Sequence, residues 1–405
     1  MRRRFTRGWL VATVRQREVA VSGGEFDILV IGAGIAGSSV AAHLAQDHRV
    51  GVLEREDQPG YHSTGRSAAL FSEIYGAEPV RALSRASRNF FFTPQQGFTD
   101  APLISPRGSL YLATAEQRES LEKFAALPDV AAQTRRISSA EAHQICPMLR
   151  TDRIVTALLE PEAADVDVHA LHSGYLRLLR QRGGMVFTNC PVERLWREGE
   201  LWMVQSGESV WRAPIVVNAA GAWADEIAKE AGLGALGLQP HRRTALLVDP
   251  PDNMDIDSWP LTIDFDEQFY FKPTAGLLML SPADETESEP CDAQPEDWDV
   301  AVAVDRVEAA TTLSVKRIRR KWAGLRTFAP DRVPVAGYDP DAPGFFWLAG
   351  QGGYGIQTCP ALSLAAATLI HRRPLPPSLT AAGVNARDLA PERFRTATAA
   401  FRERV

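Results

Sequence analysis

Three glycines and one acid carry the first recognisable chemistry in this sequence. Gly32, Gly34 and Gly37 lie in Gly32-Ala33-Gly34-Ile35-Ala36-Gly37, and Glu54 follows 17 residues after the last of them. At this spacing the first glycine permits a sharp turn, the second lets backbone approach a diphosphate, and the third lets helix and strand pack closely. N–H groups of the helix start at Ile35 and Ala36 then face the phosphates, and the acid accepts ribose hydroxyls. A glycine turn alone is a weak signal, so the surrounding elements decide. Ile28-Leu29-Val30-Ile31 is an apolar run too short for a helix, Val40, Ala41, Leu44 and Ala45 recur at helical spacing, and Val50-Gly51-Val52-Leu53 is a second apolar run ending at Glu54. Strand, turn, helix, strand is the βαβ unit that positions all four residues, and it predicts a dinucleotide without choosing FAD or NAD.

Beyond Glu54 and Arg55, the polar loop Pro59-Gly60-Tyr61-His62-Ser63-Thr64-Gly65-Arg66-Ser67-Ala68 leaves the second strand on the ligand side of a parallel sheet. Arg66 and Ser67 are candidates for holding phosphate there, and His62 reads as a loop hydrogen-bonder. A buried strand over 213–217 runs into Asn218-Ala219-Ala220-Gly221-Ala222-Trp223, whose small residues permit close backbone approach. Late in the chain, a strand over 344–349 ends in Gly350-Gln351-Gly352-Gly353-Tyr354-Gly355 and opens a helix to about His371. This second glycine-rich helix start favours a negative charge. Other predicted elements are a strand over 108–114, helices over 116–126 and 168–182, and a hairpin over 191–205. Between Arg242 and Ser281, short strands over 244–248, 261–265, 269–272 and 277–280 predict an antiparallel sheet.

A chain of 405 residues with 45% hydrophobic content can bury two connected cores. The formal charge of −6, with signs mixed, offers no basic face for nucleic acid. Cys146, Cys190, Cys291 and Cys359 form no CxxC pair, so no metal site and a reducing, cytoplasmic compartment are expected. No apolar run reaches the roughly 18 residues that span a bilayer. The Arg-rich stretch 1–25 reads as a disordered extension or a start placed too early.

An interrupted nucleotide unit, completed from both ends of the chain, suits flavin better than nicotinamide. The glycine turn, His62-Ser63-Thr64-Gly65-Arg66-Ser67-Ala68-Ala69, Asn218-Ala219-Ala220-Gly221-Ala222-Trp223, Trp322-Ala323-Gly324-Leu325-Arg326 and Gln351-Gly352-Gly353-Tyr354-Gly355-Ile356-Gln357 together resemble D-amino-acid-oxidising flavoproteins. The resemblance is closest to FAD-dependent D-arginine dehydrogenases and covers about residues 26–380. It implies an α/β chain: a Rossmann-like, glutathione-reductase-like FAD-binding domain (26–105, 150–240 and 320–380) with an antiparallel-sheet α+β substrate domain (106–149 and 241–319). A tail, 381–405, follows. It further implies hydride removal from the α-carbon of a D-amino acid to non-covalent FAD, giving an imino acid and then a 2-oxo acid and ammonia. The electron acceptor is unspecified. FAD contacts are expected from the motif residues above, including Ser63, Thr64, Ala68, Gly352, Tyr354, Gly355, Ile356 and Gln357, and from Val192.

The same resemblance makes Arg243 and Arg326 a clamp for the substrate carboxylate, assisted by Tyr270, with Tyr75 on a covering loop and the Gly353 carbonyl meeting the amino group. Alternatives within the fold are oxidation of sarcosine- or glycine-type amines or of 2-hydroxy acids. Outside enzymes, the alternative is an FAD-binding electron-transfer subunit. The chain departs from the D-arginine dehydrogenases where Ser109 stands at their guanidinium-binding acid and Leu70 replaces a histidine, with Leu261 and Ile263 expected in the side-chain pocket. D-Arginine is therefore not the expected substrate unless Glu73, expected to point to solvent, turns inward.

Overall fold

The computed structural model describes residues 23–394. The expected N-terminal extension lies outside the described residues except for 23–25, and there Gly24–Glu25 is a β-strand pairing in parallel with Trp211 and Arg212. Part of the expected C-terminal tail is likewise ordered: the Asn385 side chain accepts from Arg387 N and caps the short helix Ala386–Leu389.

Ile28–Ile31 and Val50–Leu53 pair in parallel, with Ile35–Leu44 as the helix between them. Ile215–Asn218, Phe345–Ala349 and Met185–Phe187 extend this sheet in parallel, and Val335–Tyr338 closes it antiparallel, giving six strands. Ile28 and Val30 pack towards Val40, Leu44 and Leu362, whereas Leu29 and Ile31 pack towards Trp202, Trp211 and Trp347. A strand covered on both faces reads as an unbroken apolar run, which is why these four residues show no alternation. The Ile35–Leu44 helix has eight of its ten residues buried. Its small residues make that burial possible: a Cβ on Gly37 would stand 1.9 Å from the Gly32 carbonyl oxygen. Gly32 itself needs φ of +97°, and a Cβ there would meet the Ala219 carbonyl at 2.6 Å.

The second sheet has nine strands and is mixed. Most of its pairs are antiparallel, but Leu261–Asp264 runs parallel to Ser109–Ala113, a departure from the purely antiparallel expectation. These partners are far apart in sequence, so no turn signal announces their pairing. Thr156–Glu160 and Ile318–Phe328 also belong to this sheet, although residues 156–160 and 320–328 were expected in the nucleotide domain. Gln239–Val248 pairs with Ile318–Phe328 so that Arg243 faces Gly324 and His241 faces Arg326. Side chains alternate faces along a strand, so this register puts Arg243 and Arg326 on the same face as diagonal neighbours. Ile263 lies opposite Tyr270 and beside Tyr111, which continues the same wall. The amphipathic helix Glu78–Phe92, unassigned from sequence, packs on the late helix Gly355–Ile370 through Ser84 and Ser87. Among the described residues, no helix is long and apolar enough to cross a membrane.

Replacing Gly37 with Ala should push the first helix off its strand. We expect a loss of about 1–3 kcal/mol from overpacking, read as a fall in the thermal unfolding midpoint. An unchanged midpoint would show that the close contact does not hold in solution.

Candidate active site

One cavity of about 610 Å³ is lined by residues of both sheets. Its lining falls into two groups, one from each sheet's side. The first includes Gly32, Gly34, Ile35, Ala36, Glu54, Arg55, Ser63, Thr64, Ser67, Ala68, Val192, Ala220, Gly221 and Trp223. Glu54 is buried; one carboxylate oxygen accepts from Ala33 N at 2.8 Å and the other from Glu56 N at 3.0 Å, leaving lone pairs for hydroxyl donors. The Ile35 N–H donates to Thr64 Oγ1 at 3.0 Å, so a hydroxyl stands at the helix start where a phosphate oxygen was expected. Neither this helix nor the Gly355–Ile370 helix has an N-cap side-chain bond or an acid in its first turn; the later helix start is open to an anion, while Thr64 takes one N–H of the first. The Arg55 guanidinium lies over the Trp223 ring at 4.5 Å, and His62 Nε2 is 2.8 Å from Glu56.

Two expected cofactor residues lie outside the lining, and a third is already bonded within the protein. Arg66 lines the cavity, with its guanidinium donating to the Ala293 and Ala323 carbonyls at 2.9 and 3.1 Å and pairing with Asp292. Backbone oxygens and an acid contributed by a distant loop take the charge that was expected to hold phosphate. Gly37 is not in the lining, because its place is against Gly32. Tyr354 is also outside it; its ring packs on Tyr75 and Phe328, while Gly352, Gly353, Gly355, Ile356 and Gln357 reach the cavity.

The second group contains Tyr75, Arg243, Tyr270 and Arg326, with Leu70, Leu261, Ile263, Ser72 and Tyr111. Arg326 donates to the Tyr75 hydroxyl at 3.3 Å and makes no ion pair among the described residues. A Cβ on Gly353 would lie 2.9 Å from Arg326 Nη1, so only glycine lets this guanidinium sit against the loop. Arg243 is buried and pairs through Nη2 with Glu285 at 3.0 Å, while its Nε has no partner among the described residues. Glu285 also bridges to Arg332 at 2.8 Å. Burial alone would raise the Glu285 carboxyl, but Arg332, Arg243 and Arg326 outweigh it and hold it below the usual range. Burial opposes the Arg326 charge too, yet Tyr75, Tyr270 and Glu267 leave its pKa above the ordinary value. Burial pushes the Tyr75 phenol well up, so it stays protonated and can donate. The result is an orphaned N–H and an unpaired guanidinium converging on one wall, which suits a ligand carboxylate.

Sequence reasoning missed the acids around this wall. Tyr75 donates to Glu267 Oε2 at 3.2 Å, and Glu267 itself lines the cavity. Ser109 does not reach the lining; its hydroxyl donates to buried Glu160, which also accepts from Ser72 Oγ and Glu73 N. Burial raises the Glu160 carboxyl despite those donors. Glu73 does not point to solvent as expected: it is 6% exposed and paired with Arg88 at 2.7 Å. Absence of an acid at position 109 therefore does not leave the cavity without a carboxylate. The run Asp264-Phe265-Asp266-Glu267-Gln268 reads as an ordinary polar turn, and only the folded hairpin shows that one of its acids points inward.

A parallel sheet with a glycine turn at its ligand edge, an open later helix start and a long two-part cavity defines a dinucleotide-binding oxidoreductase. Residues 27–369 match the DAO family, described as FAD dependent oxidoreductase, and the chain belongs to that family. Rat (Rattus norvegicus) dimethylglycine dehydrogenase, a mitochondrial protein, is 24% identical over 355 residues; the match covers 82% of this chain and 41% of that protein, so this chain spans about two fifths of it. Among solved structures, L-proline dehydrogenase from P. horikoshii superposes with a TM-score of 0.76 at 21% identity, covering 92% of this chain and 99% of that one. Glycine oxidase from Geobacillus kaustophilus does so with a TM-score of 0.76 at 20% identity, covering 86% and 95%. FAD is the cofactor, and the glycine cradle, the open later helix start and the volume fit it.

The Ala323-Gly324-Leu325 segment ahead of Arg326 offers no thiol, and Cys359 is buried within the late helix. FAD should therefore be held without a covalent bond. Acid precipitation should release all yellow colour into the supernatant; colour kept in the pellet would contradict this.

Proposed function

We propose that this chain catalyses oxidative deamination of D-amino acids. The observation that carries the reading is the pair Arg243 and Arg326, placed side by side by strand register, with Tyr75, Tyr270 and the Gly353 loop around them. Bound FAD would supply the acceptor for hydride leaving the substrate α-carbon. The two arginines hold the carboxylate, Tyr270 assists them, and the Gly353 carbonyl meets the amino group. Leu70, Leu261 and Ile263 exclude water from the side-chain wall. Water then hydrolyses the imino acid to a 2-oxo acid and ammonia. No strong base is required, because the site needs only to favour the neutral amine.

The second reading is oxidation of an N-methyl or otherwise substituted amino acid. The similarity to dimethylglycine dehydrogenase supports it, and the same clamp would serve. An anaerobic screen of D-amino, N-methyl and 2-hydroxy acids separates these readings: D-amino acids should bleach the flavin fastest. Faster bleaching by N-methyl substrates would favour the second reading, and no bleaching by any of them would indicate an electron-transfer subunit.

Removing either arginine deletes a charge-assisted hydrogen bond from a largely desolvated site. Arg243→Ala and Arg326→Ala should each lower kcat/KM by about 2–5 kcal/mol, on the order of 30-fold to several-thousand-fold. FAD content should be unchanged. Wild-type kinetics in either variant would remove that arginine from the clamp.

A further inference from the structure

Glu267 is the one acid in the substrate-side group of the cavity lining; the other lining acids, Glu54, Glu193, Glu226 and Glu230, come from the nucleotide-binding part of the chain. Among the described residues it makes no ion pair, unlike Glu285 and Glu73, and it lacks the ring of donors that encloses Glu160; Arg326 acts on it only across the shared Tyr75 hydroxyl. Glu285 is held by Arg243 and Arg332, Glu73 by Arg88, and Glu160 by two hydroxyls and an amide. The side-chain partner of Glu267 is that Tyr75 hydroxyl. It is also half-buried, so its charge is only partly screened by water.

The backbone shows that this placement is enforced. Glu267 adopts φ of +53°, a left-handed conformation that non-glycine side chains occupy at a penalty. The turn holds it there: Glu267 N donates to the Asp264 carbonyl at 2.9 Å, and the Asp264 carboxylate accepts from Asp266 N and Gln268 N. Gln117 fastens the same carboxylate from a separate segment. An asparagine or glycine would fit such a turn with less strain. An unpaired acid held in that conformation at a cavity wall points to a ligand role.

We propose that Glu267 is the residue that sets substrate choice by side-chain charge, favouring a cationic end group and rejecting an anionic one. This rests on the reading that Arg243 and Arg326 seat the substrate carboxylate. With the carboxylate on the arginines, a side chain passes apolar Leu261 and Ile263 and brings its end group to the Tyr75–Glu267 contact. A terminal ammonium or guanidinium supplies the direct ion-pair partner that Glu267 lacks among the described residues. A terminal carboxylate meets a like charge. The acid missing at Ser109 is thus replaced from a different strand connection.

The test is to titrate the FAD-loaded protein with 5-aminopentanoate, pentanoate and glutarate, following the flavin absorbance change. These five-carbon carboxylates lack an α-amino group, so they report binding whichever amine is oxidised. Wild type should bind 5-aminopentanoate about tenfold more tightly than pentanoate, with glutarate weakest. In Glu267→Gln the three affinities should converge, and in Glu267→Lys the order should reverse, both with an unaltered resting flavin spectrum. An unchanged preference for 5-aminopentanoate in both variants would overturn the role of Glu267 while leaving the clamp intact. Failure of all three ligands to bind wild type would overturn the clamp reading and this inference with it.

Discussion

The contact between Gly37 and the Gly32 carbonyl sets the geometry on which the rest of the cavity is built. Because no side chain separates helix from turn there, the helix start comes down onto the strand ends, where Thr64 takes the Ile35 N–H at the cavity edge. Glu54 then reaches back to Ala33 N and ties the second strand to the turn. Any bulkier residue at position 37 would lift the helix and open all of these contacts at once. Van der Waals repulsion rises steeply at such distances, so this constraint behaves as a fixed stop.

Two guanidinium groups on one wall create the opposite problem, an excess of like charge in a partly desolvated place. The structure offsets it from outside the lining with Glu285, which Arg332 in turn balances, and from inside with the Tyr75–Glu267 pair. The Tyr75 hydroxyl is shared, accepting from Arg326 and donating to Glu267. One phenol therefore connects the group that would hold a carboxylate with the group left to meet a side chain. Arg243 is bonded at one end and vacant at Nε, so it is oriented without being neutralised.

The nucleotide half was legible because its information is local: glycines, apolar runs and Glu54 lie within one unit, where spacing predicts contact. The late Gly352–Gly355 turn was legible for the same reason. The arginines carried no local signal of their own, and only resemblance singled them out. Their juxtaposition follows from pairing between strands about 80 residues apart, a relation that residue spacing does not encode. The partners that engage the Arg66 guanidinium were not legible, because Asp292 and Ala293 come from a distant loop and Ala323 from a distant strand. Glu267 was missed because an acid in a polar turn looks the same whether it faces solvent or a cavity. Glu73 shows the converse: a charged loop residue was expected outside, yet Arg88 allows it to be buried.

The strand register that aligns the arginines also shapes how such a chain can evolve. Point substitutions on the hairpin turn or the loops around the cavity can alter ligand choice while both arginines stay in place. A single inserted or deleted residue between an arginine and its paired partners, unless absorbed in a bulge like the one at Leu247–Val248, would instead rotate that arginine to the opposite face. Length changes that leave both arginines on the wall are those in connections such as 249–260 and 329–334, outside the paired strands.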